Sequence, residues 1–139
     1  MYNLGKVKFS IGALKMAKAK SLIVVDDDDD IREIFVNALS KLKINILEAA
    51  NGEEALKIIK KNNIVLIISD LNMPVMDGVE LLYEVRENLK SSVPLIFTSA
   101  YTDNLEKRKL EMTNVSFLKK PFTDEQLVNK VKEIILVNE

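Results

Sequence analysis

Short apolar runs rich in β-branched residues alternate along this chain with segments whose apolar residues recur at helical spacing. That alternation narrows the fold more than any other feature. "SLIVV" (21–25) is apolar at successive positions, as in a strand covered on both faces. Ile31, Ile34, Phe35, Ala38, Leu39 and Leu42 then fall at helical intervals. "INILEAA" is a second strand, "NG" a turn and "EEALKIIKK" a short helix. "IVLIIS" (64–69) is the most apolar run and reads as the central strand, followed by the loop "LNMPVMDG". Val79, Leu82, Val85 and Leu89 mark a third helix. "PLIFTS" is the fourth strand, with proline where it costs no ladder bond. "DNLEKRKLEM" is a thinly apolar fourth helix and "VSFLK" the fifth strand. The last helix starts at Thr123, with Gln126 placed for a capping box, and carries Leu127, Val131, Ile134 and Ile135. Five β-α units predict one α/β domain: a doubly wound parallel sheet covered by helices on both faces.

In such sheets ligands bind beyond the carboxyl ends of the strands, where the strand order reverses. For five strands the common order is 2-1-3-4-5, which puts the reversal between strands 1 and 3. Strand 1 runs straight into five aspartates, Asp26 to Asp30, and strand 3 ends in Asp70. Asp26, Asp27 and Asp70 are therefore expected in one crevice. Asp28 to Asp30 are read as helix entry, with Asp29 or Asp30 as the cap and Asp30 paired with Glu33 in capping-box spacing. At an effective dielectric near 20, each close carboxylate pair costs roughly 4 kcal/mol before screening. A divalent cation relieves that repulsion. Magnesium suits the site, being hard and content with carboxylates, a carbonyl and waters; calcium or manganese would fit the same donors.

Composition limits the alternatives. The 139 residues are 47% hydrophobic and contain no cysteine and no histidine. This leaves no thiolate, no imidazole base and no phosphohistidine on this chain. No apolar run is long enough to span a bilayer, and the lack of cysteine fits a reducing cytoplasm. Residues 1–20 hold five lysines and no acid, so the remaining body carries a net −6 against −1 for the whole. An acidic body argues against direct nucleic-acid binding. Residues 1–20 are read as a basic N-terminal extension of no catalytic role, with alternating Val7, Phe9 and Ile11; contact with a partner or a second copy, as in a homodimer, is the lesser reading.

Together, "VVDD", "SDLNMPVMDG", "TSA" and "KKPF" resemble, in order and spacing, the receiver domain of two-component response regulators, over residues 21–138. The resemblance implies a flavodoxin-like (βα)5 fold with the same 2-1-3-4-5 order, and a receiver domain spanning 21–139. It also implies that Asp70 is the phosphoacceptor. Asp27, Asp70 and the carbonyl of Asn72 would hold Mg2+, with Asp26 acting through a coordinated water. Lys120, preceding a proline at which the family often has a cis peptide, and Ser99 would meet the phosphoryl group, and Phe117 would be the switch aromatic. The partners implied are a histidine kinase or histidine phosphotransfer protein and a separate output protein reached through the helix 4 to helix 5 face. The protein would be a cytoplasmic switch that catalyses only its own phosphorylation and dephosphorylation, or else a relay or phosphate sink.

Plainer readings stand beside these. Lys120 also fits a surface lysine, Ser99 a strand-end turn residue, Phe117 a core aromatic, and "MPVMDG" a simple loop. The chain departs from the family pattern at Thr113 and Asn114, which replace the usual small pair before strand 5. Asn72 and Tyr101 flank the site at positions that vary in the family. Two other functions remain: a small haloacid-dehalogenase-like phosphatase using Asp26 of "VVDDD" as nucleophile, and a receiver-like interaction module that is never phosphorylated.

Overall fold

The computed structural model describes residues 19–100 and 112–137. Five strands form one parallel sheet: β1 (Lys20–Val25), β2 (Asn45–Ala49), β3 (Asn63–Asp70), β4 (Leu95–Ser99) and β5 (Val115–Lys119). Their order is β2-β1-β3-β4-β5, as expected. The helices are α1 (Asp29–Leu39), α2 (Gly52–Lys61), α3 (Gly78–Tyr83) and a C-terminal helix (Asp124–Val137). The expected helix at 103–112, apart from its last residue, and the N-terminal extension, apart from its last two, lie outside the described residues, as does Tyr101. No helix among the described residues is long and apolar enough to cross a membrane.

The central strands carry uninterrupted apolar runs, 22–25, 64–68 and 95–97, because each face of the sheet has its own core. Ile23, Val25, Ile67, Leu95 and Phe97 point to one side, where Ala55, Leu56 and Ile59 of α2 and Leu81 and Leu82 of α3 cover them. Leu22, Val24, Leu66, Ile68 and Ile96 point to the other, against Phe35, Ala38 and Leu39 of α1 and Leu127 and Val131 of the C-terminal helix. A strand side chain alternates faces with a period of two, so an uninterrupted apolar run is what a doubly covered strand requires.

Local chemistry sets the helix boundaries. The first helix is capped by Asp28 and not by Asp29 or Asp30: Asp28 is extended (φ −98°, ψ 114°) and its carboxylate accepts from the Asp30 and Ile31 amides. Asp29 and Asp30 fall inside the first turn, where their charge suits the positive helix end. α1 then tightens into a 3-10 turn, Ser40–Leu42. Asp77 and Glu80 form a reciprocal capping box at α3, and Thr123 and Gln126 form the expected one at the C-terminal helix. The third helix is longer than its α-helical part, because Glu84–Asn88 continue it as a π-helical turn closed by Leu89 N donating to the Glu84 carbonyl at 3.0 Å. Pro94 sits just before β4, where its carbonyl accepts from Ile67 N at 3.0 Å and its missing N–H is not needed. Asn114 takes a left-handed conformation (φ 56°) ahead of β5, and its side-chain amide bonds the Ser92 carbonyl at 3.0 Å. Asparagine tolerates that region better than most residues, so the turn survives without a glycine.

Val75 shows the opposite balance. It is β-branched, has φ 70° and is 72% exposed, at the centre of a turn closed by Met76 N and the Pro74 carbonyl at 2.7 Å. Such a conformation costs a β-branched residue about 1–3 kcal/mol, whereas glycine adds only about 0.5–1 kcal/mol of backbone entropy. Val75→Gly is expected to raise stability by about 1 kcal/mol in urea denaturation, and a loss of stability would show that the valine contributes packing instead.

Candidate functional site

The parallel register sets the ends of β1 and β3 side by side, Val25 opposite Ser69. The next residues are therefore Asp26 and Asp70. One carboxylate oxygen from each of Asp26, Asp27 and Asp70 lies within 4.8 Å of the others. Two oxygens bound to one octahedral cation with metal–oxygen distances of ~2.1 Å sit roughly 3–4 Å apart, so the spacing fits a shared ion with little movement. Asp26 is 3% exposed, and its Oδ2 is buried without a hydrogen-bond partner. Its Oδ1 accepts from the Asp28 amide at 2.9 Å. A buried carboxylate oxygen facing two further acids is the donor set a hard cation fills.

Lys120 approaches from the end of β5. Its Nζ is 3.7 Å from Asp70 Oδ1 and 3.9 Å from Asp26 Oδ2. The Lys120–Pro121 peptide is cis, as the motif implied, and the Lys120 amide donates to the Ser99 carbonyl at 2.9 Å. The backbone thus joins the lysine to the end of β4, where Ser99 is buried. Asp70 Oδ1 also accepts from the Leu71 amide at 2.8 Å, so the two oxygens of this carboxylate are not equivalent. Asn72 is exposed two residues beyond Asp70. Phe117 is half-buried on β5, its ring centroid 5.9 Å from that of Phe97 and its plane tilted by 37°. Of the residues singled out in the sequence, Asp26, Asp27, Asp70 and Lys120 form one cluster. Ser99 is tied to it through the backbone, and Phe117 packs on the core side of β5.

Two participants escaped the sequence reading. Gly78 looked like punctuation, yet its backbone lies so close to β3 that an added Cβ would be 2.4 Å from the Asp70 carbonyl oxygen. Arg32, the one base in "DDDDDIRE", donates to the Asp26 carbonyl at 2.6 Å. Its isolation among acids was the available signal.

Electrostatics mark Asp26 as the strained member. Burial pushes its carboxyl above the ordinary value, the Asp28 amide pulls it back, Asp70 raises it, Lys120 lowers it and Asp27 raises it, with a net upward shift. The folded chain therefore holds this proton to higher pH than the unfolded chain does. The stability it contributes is complete below the ordinary carboxylate value and is lost as pH rises through the raised one. Asp26→Asn, neutral throughout, should be more stable than the parent by about 2 kcal/mol at pH 7 with cations chelated. The gap should close as pH falls below the ordinary carboxylate value. Denaturant titrations at several pH values check this, and a gap that widens in acid would contradict it.

Comparison with known proteins agrees with this geometry. Residues 22–132 match the family model described as the response regulator receiver domain. A probable transcriptional regulator ycf27 of Cyanidium caldarium is 37% identical over 115 residues, 82% of this chain and 45% of that protein. The sensor kinase CckA of Brucella abortus is 34% identical over 126 residues, 88% of this chain but 13% of its own length. The chain thus spans about half, or much less, of the curated relatives it matches. Solved structures align over nearly all of their own length. The receiver domain from hybrid histidine kinase CckA is 35% identical with TM-score 0.70, covering 83% of this chain and 98% of that one. The chemotaxis protein CheY4 of Vibrio cholerae is 31% identical with TM-score 0.73, covering 85% and 99%. By the family match over residues 22–132 and these relatives, the chain belongs to the response regulator receiver domain family.

Proposed function

We propose that residues 21–139 act as a phosphorylation-controlled switch of a two-component system, with Asp70 as the acceptor of a phosphoryl group from a phosphohistidine on a histidine kinase or histidine phosphotransfer protein. One observation carries this reading: Asp26, Asp27, Asp70 and Lys120, from three strand ends far apart in sequence, converge on one small volume. The donors fit Mg2+, with Asp27, Asp70 and the Asn72 carbonyl as ligands and Asp26 acting through water. Bound there, the cation would neutralise charge on the transferring oxygens.

The chain's own groups divide the remaining work. Asp70 attacks phosphorus; the P–N bond to the donor imidazole breaks as the P–O bond forms, and the imidazole leaves with the electron pair. Leu71 N–H anchors Asp70 Oδ1 and so favours Oδ2 as the attacking atom. Lys120 Nζ, now shared between two carboxylates, turns toward the new phosphoryl oxygens. Ser99 supplies a hydroxyl at the same strand end, and Phe117 follows that movement toward an output protein. The phosphatase reading requires Asp26 as nucleophile, yet the Asp26 side chain is only 4% exposed, whereas that of Asp70 is 15% exposed. The site is that of a signalling switch in the cytoplasm, and the basic extension has no part in the chemistry.

Incubation with acetyl phosphate and Mg2+, followed by intact-mass measurement, tests the proposal. The expected result is one added phosphoryl group, lost on chelation of the cation and lost in Asp70→Asn. An unchanged mass would favour an interaction module that is never phosphorylated.

A further inference from the structure

Arg32 spends three separate nitrogens on three segments of the chain. Nη1 donates to the Asp26 carbonyl at 2.6 Å, Nε to Glu48 on β2 at 3.2 Å, and Nη2 to Asp29 in the first turn of α1. Its side chain is 13% exposed, while the Asp29 and Glu48 side chains are 87% and 46% exposed. Exposed ion pairs contribute little to stability. The partly buried bond to the Asp26 carbonyl is the one with structural leverage.

That carbonyl belongs to the peptide linking Asp26 to Asp27. The Asp26 amide is held separately, donating to the Ala49 carbonyl of β2 at 3.1 Å. Its carboxylate is held by the Asp28 amide. With Arg32 on the carbonyl, every polar group of Asp26 except Oδ2 has a hydrogen-bond partner. The peptide plane before Asp27 is thereby fixed, and the Asp28 amide bound to Asp26 Oδ1 anchors the chain after it, so the backbone is held on both sides of Asp27. Asp27 itself is exposed, so packing does not hold it.

The geometry points to Arg32 as a positioning residue: by clamping the Asp26–Asp27 peptide between β2 and α1, it presets the Asp27 carboxylate for a divalent cation shared with Asp26 and Asp70. This rests on the proposed cation site. A planar fork with several donors suits the task, whereas a lysine ammonium, a point charge, cannot reproduce three bonds in fixed directions. The neighbouring charges make the role testable by sign. On charge alone, removing a cation beside an acidic cluster strengthens cation binding. Loss of positioning weakens it, and groups that orient metal ligands are typically worth 10–100-fold in affinity.

The test is Mg2+ titration calorimetry on the full chain, parent against Arg32→Met and Arg32→Lys, well below each variant's unfolding temperature. Arg32→Met is expected to bind Mg2+ about 10-fold more weakly, and Arg32→Lys to recover only part of the loss. The Asp27 amide nitrogen resonance should shift in both variants, because that nitrogen shares the peptide whose carbonyl Arg32 bonds. If Arg32→Met does not fold, Arg32→Lys carries the test: its charge is unchanged, so a purely electrostatic role predicts parental affinity and only positioning predicts a loss. Affinity equal to or tighter than the parent's in the folded variants overturns the inference. A parent that binds no Mg2+ overturns the cation site and this inference with it.

Discussion

Gly78→Ala is expected to cost about 3 kcal/mol of stability and to impair phosphorylation of whatever folded protein remains. The added methyl would lie 2.4 Å from the Asp70 carbonyl oxygen, 2.9 Å from Phe97 Cε1 and 3.2 Å from Leu71 Cα. Two of these three neighbours are backbone atoms at the end of the central strand. The third belongs to a ring that is fully buried between the sheet and its helices. None can swing aside as a flexible side chain would. The Gly78 amide also donates to the Leu71 carbonyl at 3.0 Å, so the start of α3 is tied to the residue following Asp70. Relief must come from moving α3 or from moving Asp70. The first disrupts the packing of Leu81 and Leu82, and the second displaces the carboxylate proposed as the acceptor. Urea denaturation and acetyl phosphate labelling read the two consequences separately. A variant within ~0.5 kcal/mol of the parent, the usual range for harmless substitutions, would show that the approach is looser than these distances state.

Lys120→Met should move two observables in opposite directions. The lysine lies within 4 Å of both Asp70 and Asp26 and offsets part of the charge of three clustered carboxylates. Without it the cluster is more negative, so Mg2+ should bind several-fold more tightly, consistent with one fewer competing cation at short range. The same change removes the donor proposed to meet the oxygens of the arriving phosphoryl group. Loss of one such preorganised donor typically slows a reaction by about 100-fold or more. Calorimetry and the rate of acetyl phosphate labelling measure the two effects. Both quantities falling together would mean that Lys120 mainly supports the fold of the β5 end, and the charge argument would fail.

The legible part of this protein was the part written as periodicity and strand ends. Ile23 and Val24 face opposite cores, and a run such as "SLIVV" states that directly. Once the strand order was inferred, the convergence of Asp26, Asp27 and Asp70 followed from where β1 and β3 stop. Lys120 required the resemblance, because nothing in its local sequence separates it from Lys119. What stayed hidden depended on exact backbone angles or on contacts between distant segments. Three adjacent aspartates were chemically equal candidates for the α1 cap, and the choice of Asp28 depended on which residue left the strand extended. The π-helical turn at Glu84–Asn88 preserves the same apolar positions as an ordinary helix would, so periodicity is blind to it. Asn114 looked like a departure, yet it sits at φ 56°, where asparagine is tolerated better than most residues. Arg32 and Gly78 act through backbone carbonyls of other segments, which no pattern of side chains reveals.

The most direct test of the account is to find which carboxylate becomes esterified. The protein is labelled with acetyl phosphate and Mg2+, treated with borohydride to reduce any acyl phosphate on aspartate to homoserine, and analysed by peptide sequencing. The account predicts homoserine at position 70 and intact aspartate at positions 26 and 27. Homoserine at position 26, or modification spread across the three acids, would contradict it.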